Sequence, residues 1–93
     1  MSRYLVTHRI AAMPDNQDEW IRDWGGLRQR AQGDARWLAS WYSAEANRLY
    51  CEWDAPSREA IAVCFTPVER EMAPIVSVEE VVHVDPAWLD PGS

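Results

Sequence analysis

Two aromatic-rich stretches in the middle of the chain, RWLASWYS (36–43) and NRLYCEWDA (47–55), limit the fold more than any other feature. Each alternates its side chains with the period of a strand. Only SAEAN joins them, so an antiparallel hairpin is the simplest connection. The flanking sequence supplies what such an apolar hairpin needs. RYLVTHRIAAM (3–13) alternates around Tyr4, Val6, His8 and Ile10 and predicts a first strand. PDNQDEW then starts a helix, with Asn16 as cap and Glu19 placed to complete a capping box. Trp20, Trp24, Leu27 and Ala31 follow as one apolar stripe, and Gly33 is a stop signal. Gly25 and Gly26 weaken this helix by about 1 kcal/mol each relative to Ala, which close packing or a kink would explain.

After the hairpin, Ser57 is a natural cap, and Ile61, Cys64, Phe65 and Val68 form a second apolar stripe. TPVE (66–69) is itself a capping box with Pro in the first helical position, so the helix is expected to break near Thr66 and restart. Pro74 ends it. IVSVEEVVHVD (75–85) reads as strand four and PAWLDPGS as a tail held by Trp88. The order β-α-β-β-α-β is the ferredoxin-like signature: an α+β fold, an antiparallel sheet with both helices on one face. One domain spans 1–93, with its core at 3–86 and a C-terminal tail at 87–93. The other sheet face needs a cover, a second subunit or a ligand. A homodimer packed through its sheets, a dimeric α+β barrel, is the expected assembly.

Charge narrows the partners. The net charge is −6, there is no Lys, and the Arg residues are scattered among acids. Such a chain lacks the basic patch that nucleic acid or an anionic membrane requires. No run reaches transmembrane length, and the N-terminus has no signal-peptide core. A cytoplasmic setting follows, and with it reduced Cys51 and Cys64.

Six Trp are more than a core this small hides. By strict alternation Trp37, Ala39 and Trp41 share one face of strand two, and Leu49, Cys51 and Trp53 one face of strand three. If these faces coincide on the uncovered side, Trp37, Trp41 and Trp53 line a ligand pocket or a dimer interface. The alternative buries them under the helices.

The candidate metal ligands are His8, His83, Cys51 and Cys64. The histidines sit on strands one and four, neighbours in this fold, and two thiols that approached each other would hold a soft metal with a His. Their spacing demands no site, since there is no Cys-x-x-Cys or His-x-His, and a buried strand Cys is more often a small hydrophobe. Glu52, inside an aromatic strand, needs a partner such as an Arg if buried, and on an exposed edge, the reading favoured by the sequence, is simply a solvated face residue. No Ser-His-Asp set, phosphate loop or dinucleotide fingerprint is present.

WLASWYS, then LYCEWDAPSREAI, then IVSVEEVVHVDP after Pro74 resemble a family of small ferredoxin-like proteins catalogued as a domain of unknown function, one member of which is described as a nickel-binding protein. The resemblance runs from Arg36 to Pro86, and more loosely takes in RYLV. It implies a homodimeric domain and nickel or another transition metal as ligand. Two positions depart: Ala39 stands where the family often has a His before its Ser-aromatic pair, and Cys64 stands near a second such His. Three readings stay open. One is a small binding protein holding a metal ion or small molecule at the sheet face. The second is a cofactor-free dimeric-barrel enzyme for an apolar or aromatic substrate, with a His or Glu as acid–base. The third is a purely structural dimer.

Overall fold

The computed structural model describes residues 1–12 and 15–92. The strands are β1 (Ser2–Arg9), β2 (Arg36–Ser43), β3 (Arg48–Ala55) and β4 (Ile75–Val81). The helices are α1 (Gln17–Arg30), α2 (Arg58–Ala62) and α3 (Pro67–Met72), and a short 3-10 turn covers Pro86–Leu89. The sheet order β2-β3-β1-β4, with every pair antiparallel, is the ferredoxin-like arrangement expected from the sequence. The C-terminal part of the predicted first strand, at Met13, and Pro14 of the predicted helix start lie outside the described residues.

Local chemistry sets the helix ends. The Asn16 side chain accepts from the Glu19 amide, as a cap should, but the Glu19 carboxylate reaches the Asp15 amide and not that of Asn16. Ser57 caps α2. At Thr66 the predicted break is present, with a complete capping box to Glu69 and Pro67 in the first turn. The Thr66 cap holds the new helix while the proline, which has no N–H to donate, ends the old one. Glu69 is 5 % exposed and also receives both carboxylate contacts of Arg30 at 2.6 Å, while the Arg30 Nε donates to the Cys64 carbonyl at 2.7 Å. One guanidinium thus ties the end of α1 to the α2–α3 junction, with Nη2 shared between the two Glu69 oxygens and Nε on the Cys64 carbonyl, a pair of directed donors that Lys lacks.

The core lies between the sheet and the helices. Tyr4, Val6 and His8 of β1 and Leu49, Cys51, Trp53 and Ala55 of β3 are buried on the helix side, against Trp24 and Leu27 of α1, Ile61 of α2, and Phe65. Trp53 is 0 % exposed. It stacks on Trp37 with centroids 6.3 Å apart, and its other neighbour, Phe65, is tilted against it at 5.7 Å.

Two departures from simple alternation matter. In β2 the register slips between Trp37 and Ala39: Trp37 pairs with Trp53, Ala39 with Glu52, Ser40 with Cys51 and Trp41 with Tyr50. Leu38 is the extra residue of a bulge, and a bulge moves every later side chain to the opposite face. In β4 the strand ends at Val81, so His83, expected inside it, lies beyond it.

Gly25 and Gly26 also resolve differently from each other. α1 continues through both, and a Cβ at Gly25 would meet nothing within 4 Å, so close packing is not its reason. A Cβ at Gly26 would come within 2.9 Å of the Arg30 guanidinium. Gly25→Ala should therefore raise stability by about 1 kcal/mol, the helix-propensity gain. Gly26→Ala should gain less or lose stability, because the Arg30–Glu69 contact must shift. Urea melts of the two variants against wild type check this.

Candidate functional site

The uncovered sheet face carries Arg3, Leu5 and Thr7 from β1, Arg36, Ala39 and Trp41 from the edge strand β2, Tyr50, Glu52 and Asp54 from β3, and Ser77, Glu79 and Val81 from β4. Trp41 is 57 % exposed there, beside half-buried Tyr50 and Ala39, and Leu5 and Val81 elsewhere on the face are half-buried too. Glu52 has an Arg partner: Arg3 Nη1 donates to it at 2.7 Å.

The three Trp expected to share a pocket are divided. The β2 bulge leaves Trp37 on the helix side, stacked on Trp53, and carries Trp41 to the uncovered face. Trp53 is fully enclosed and lines no accessible surface. The expectation of a common indole face is thereby corrected: strict alternation fails at Leu38.

The four candidate metal ligands are likewise separated in role. His8 is 0 % exposed; its Nδ1–H donates to the Ala73 carbonyl at 2.9 Å, and its Nε2 has no partner among the described residues. Phe65 is tilted against the ring at 5.3 Å. Burial pushes the imidazole below its ordinary pKa, partly opposed by the Ala73 carbonyl, so the neutral ring is the folded form. His83 packs edge-on against Trp88, 5.6 Å between centroids. It follows Val81, which pairs with Arg3, whereas His8 pairs with Ile75 at the other end of β1. The two imidazoles, which neighbouring strands could have brought together, do not meet across the sheet. Trp88 is 66 % exposed, so the tail is held to His83 and not to the core.

Cys51 and Cys64 are free and buried. The Trp37 indole N–H donates to the Ser40 hydroxyl at 2.7 Å, and that hydroxyl donates to Cys51 Sγ at 3.0 Å. Burial nevertheless dominates and pushes the Cys51 thiol up to about 11. The Cys64 thiol donates to the Ala60 carbonyl at 3.4 Å, and burial raises its pKa as well. A thiolate is the form that binds metal or attacks an electrophile, and both sites disfavour it. Among the described residues no three His, Cys, Asp or Glu side chains gather where they could hold a metal ion. His8, His83, Cys51 and Cys64 of one chain therefore do not fit a nickel centre.

A family model described as nickel responsive protein SCO4226-like matches residues 4–81. The chain belongs to this family. The SCO4226-like match covers all four strands and all three helices. A solved structure, SCO4226 from Streptomyces coelicolor A3(2), has the same fold at a TM-score of 0.62. It is 18 % identical, and the match covers 90 % of this chain and 100 % of that one. No curated protein matches the chain. No described helix is long and apolar enough to cross a membrane.

Trp20 and Trp24, expected only as part of the apolar stripe of α1, line with Arg28 and Trp37 a groove along that helix. The signal was available: a third apolar side chain, Ile21, beside Trp20 broadens the stripe beyond what the sheet can cover.

Two outcomes check this picture. The unfolded chain protonates His8 below its ordinary pKa of 6.5, while the folded chain resists. Stability from this group is complete above 6.5 and is lost as the pH falls below it, with a slope of at most about 1.4 kcal/mol per pH unit. Urea midpoints of wild type should fall more steeply with acid than those of His8→Gln. Iodoacetamide at mildly alkaline pH should leave both thiols of the native protein unmodified and alkylate them after denaturation.

Proposed function

We propose that this protein is a small homodimeric binding protein of the nickel-responsive family, in which two copies bring their uncovered sheet faces together and hold a metal ion or small molecule between them. One observation carries the reading. All three helices lie on one side of the sheet, leaving a large aromatic residue, Trp41, exposed at 57 % on the other, beside half-buried Tyr50 and Ala39 on a face that also carries half-buried Leu5 and Val81. An apolar sheet face of this kind is costly to leave in water. The family description supports a metal-related role. Because the four candidate ligands of one chain do not gather, a metal held at this face draws on other donors, contributed by both copies.

Light scattering and nickel titration of the untagged protein test the reading together. Wild type should be a dimer, and Trp41→Arg should be a folded monomer, since the side chain is exposed in the single chain. Nickel binding that survives Cys51→Ala and Cys64→Ala but disappears in Trp41→Arg places the metal at the face. Loss of binding in Cys51→Ala would move it to the core, and a monomeric wild type would overturn the assembly.

A further inference from the structure

A second surface lies in the helix layer, away from the uncovered sheet face, and goes beyond the reading above. Trp20, Ile21, Trp24 and Gly25 of α1 line a groove of about 460 Å³ with Arg28 and with Trp37 of β2. Arg28 and Trp37 are shared with an adjoining, more polar cleft of about 500 Å³ that adds Gln32 and Arg36. The apolar end is built from flat surfaces: Trp20 and Trp24 stack with centroids 6.3 Å apart and planes at 27°. Ile21 is 61 % exposed on its rim. Gly25 leaves the floor open, with nothing within 4 Å of where a Cβ would sit. Trp24 is 7 % exposed, and its Nε1–H is buried without an acceptor among the described residues.

The charges complete the argument. In a chain of net charge −6, most guanidinium groups are engaged. Arg3, Arg22 and Arg30 meet carboxylates, and Arg48, Arg58 and Arg70 donate to backbone carbonyls. Arg9, Arg28 and Arg36 have no side-chain partner among the described residues; of these, Arg28 borders the groove, and Arg36, on the edge strand, joins it only in lining the adjoining cleft. Two unengaged cations beside an indole-lined trough suit an anion with a flat apolar body.

We propose that the α1–β2 groove binds a planar aromatic carboxylate, with its ring on the Trp20, Trp24 and Trp37 surface and its carboxylate between Arg28 and Arg36. The ring takes the cover that Ile21 and the half-buried Trp20 and Trp37 lack, and the two guanidinium groups gain a counter-charge. Neither end selects the ligand alone: the trough prefers flat apolar bodies, and the cations reject uncharged ones.

The test uses β-naphthoate as probe, its uncharged amide and octanoate as controls, with calorimetry and NMR of the indole N–H groups. Saturable binding of one naphthoate per chain is expected, with shifts at Trp20, Trp24 and Trp37 and none at Trp41. Arg28→Ala and Arg36→Ala should each weaken it by about tenfold, the scale of one lost charge-assisted hydrogen bond. Gly25→Leu should abolish binding by filling the floor, with the thermal midpoint held or raised. Absence of saturable binding, equal binding of the amide or of octanoate, or indifference to both Arg variants would overturn the proposal. So would shifts centred on Trp41, or self-association of the protein that occupies the groove.

Discussion

A row of rings crossing the core, Trp37 on Trp53, Trp53 against Phe65, and Phe65 against His8, is the contact on which the rest depends. It joins β2, β3, the α2–α3 junction and β1 through side chains that bury large flat areas and hold fixed relative orientations. Trp53 has no exposed surface and no room to turn, so its neighbours arrange themselves around it. The β2 bulge belongs to the same arrangement. It allows Trp37 to lie on Trp53 while the remainder of β2 continues in register with β3.

That packing explains why the residues with the most evident chemistry are quiet. His8 and Cys51 lie on the face that the helices seal, as Cys64 does from the helix side. An apolar surround penalises imidazolium and thiolate alike, and it outweighs the Ala73 carbonyl at His8 and the Ser40 hydroxyl at Cys51, which favour the charged forms. The SCO4226-like family membership is carried by the fold and by sequence matched over 4–81, not by a preserved set of donors. Ala39 makes the point at one position. It lies on the uncovered face opposite Glu52, and where a His would present an imidazole nitrogen there, a methyl group offers no donor.

The protein has two surfaces with different physics. The uncovered sheet face is broad and mixes an aromatic centre with the paired Arg3 and Glu52, which suits an extended cover. The α1–β2 groove is shallow and lined by indoles, and it adjoins a cleft with unengaged cations. Arg30, by contrast, is a structural cation: its Nη2 is held by the buried Glu69, which also caps α3, and its Nε by the Cys64 carbonyl.

Element order, the cap at Ser57, the capping box at Thr66 and the one-sided helix layer were all legible in the sequence. Each follows from local periodicity or from hydrogen bonds between near neighbours, and these are written in consecutive residues. What only the tertiary structure decided is which side each residue faces beyond Leu38, where β4 stops before His83, and which Arg residues find acids. A bulge inserts one residue without a distinctive sequence mark, because its energy comes from a long-range contact, here Trp37 on Trp53. The same holds for charge: Arg28 and Arg30 lie two residues apart on one helix, yet only the fold places Glu69 beside one of them and an indole trough beside the other.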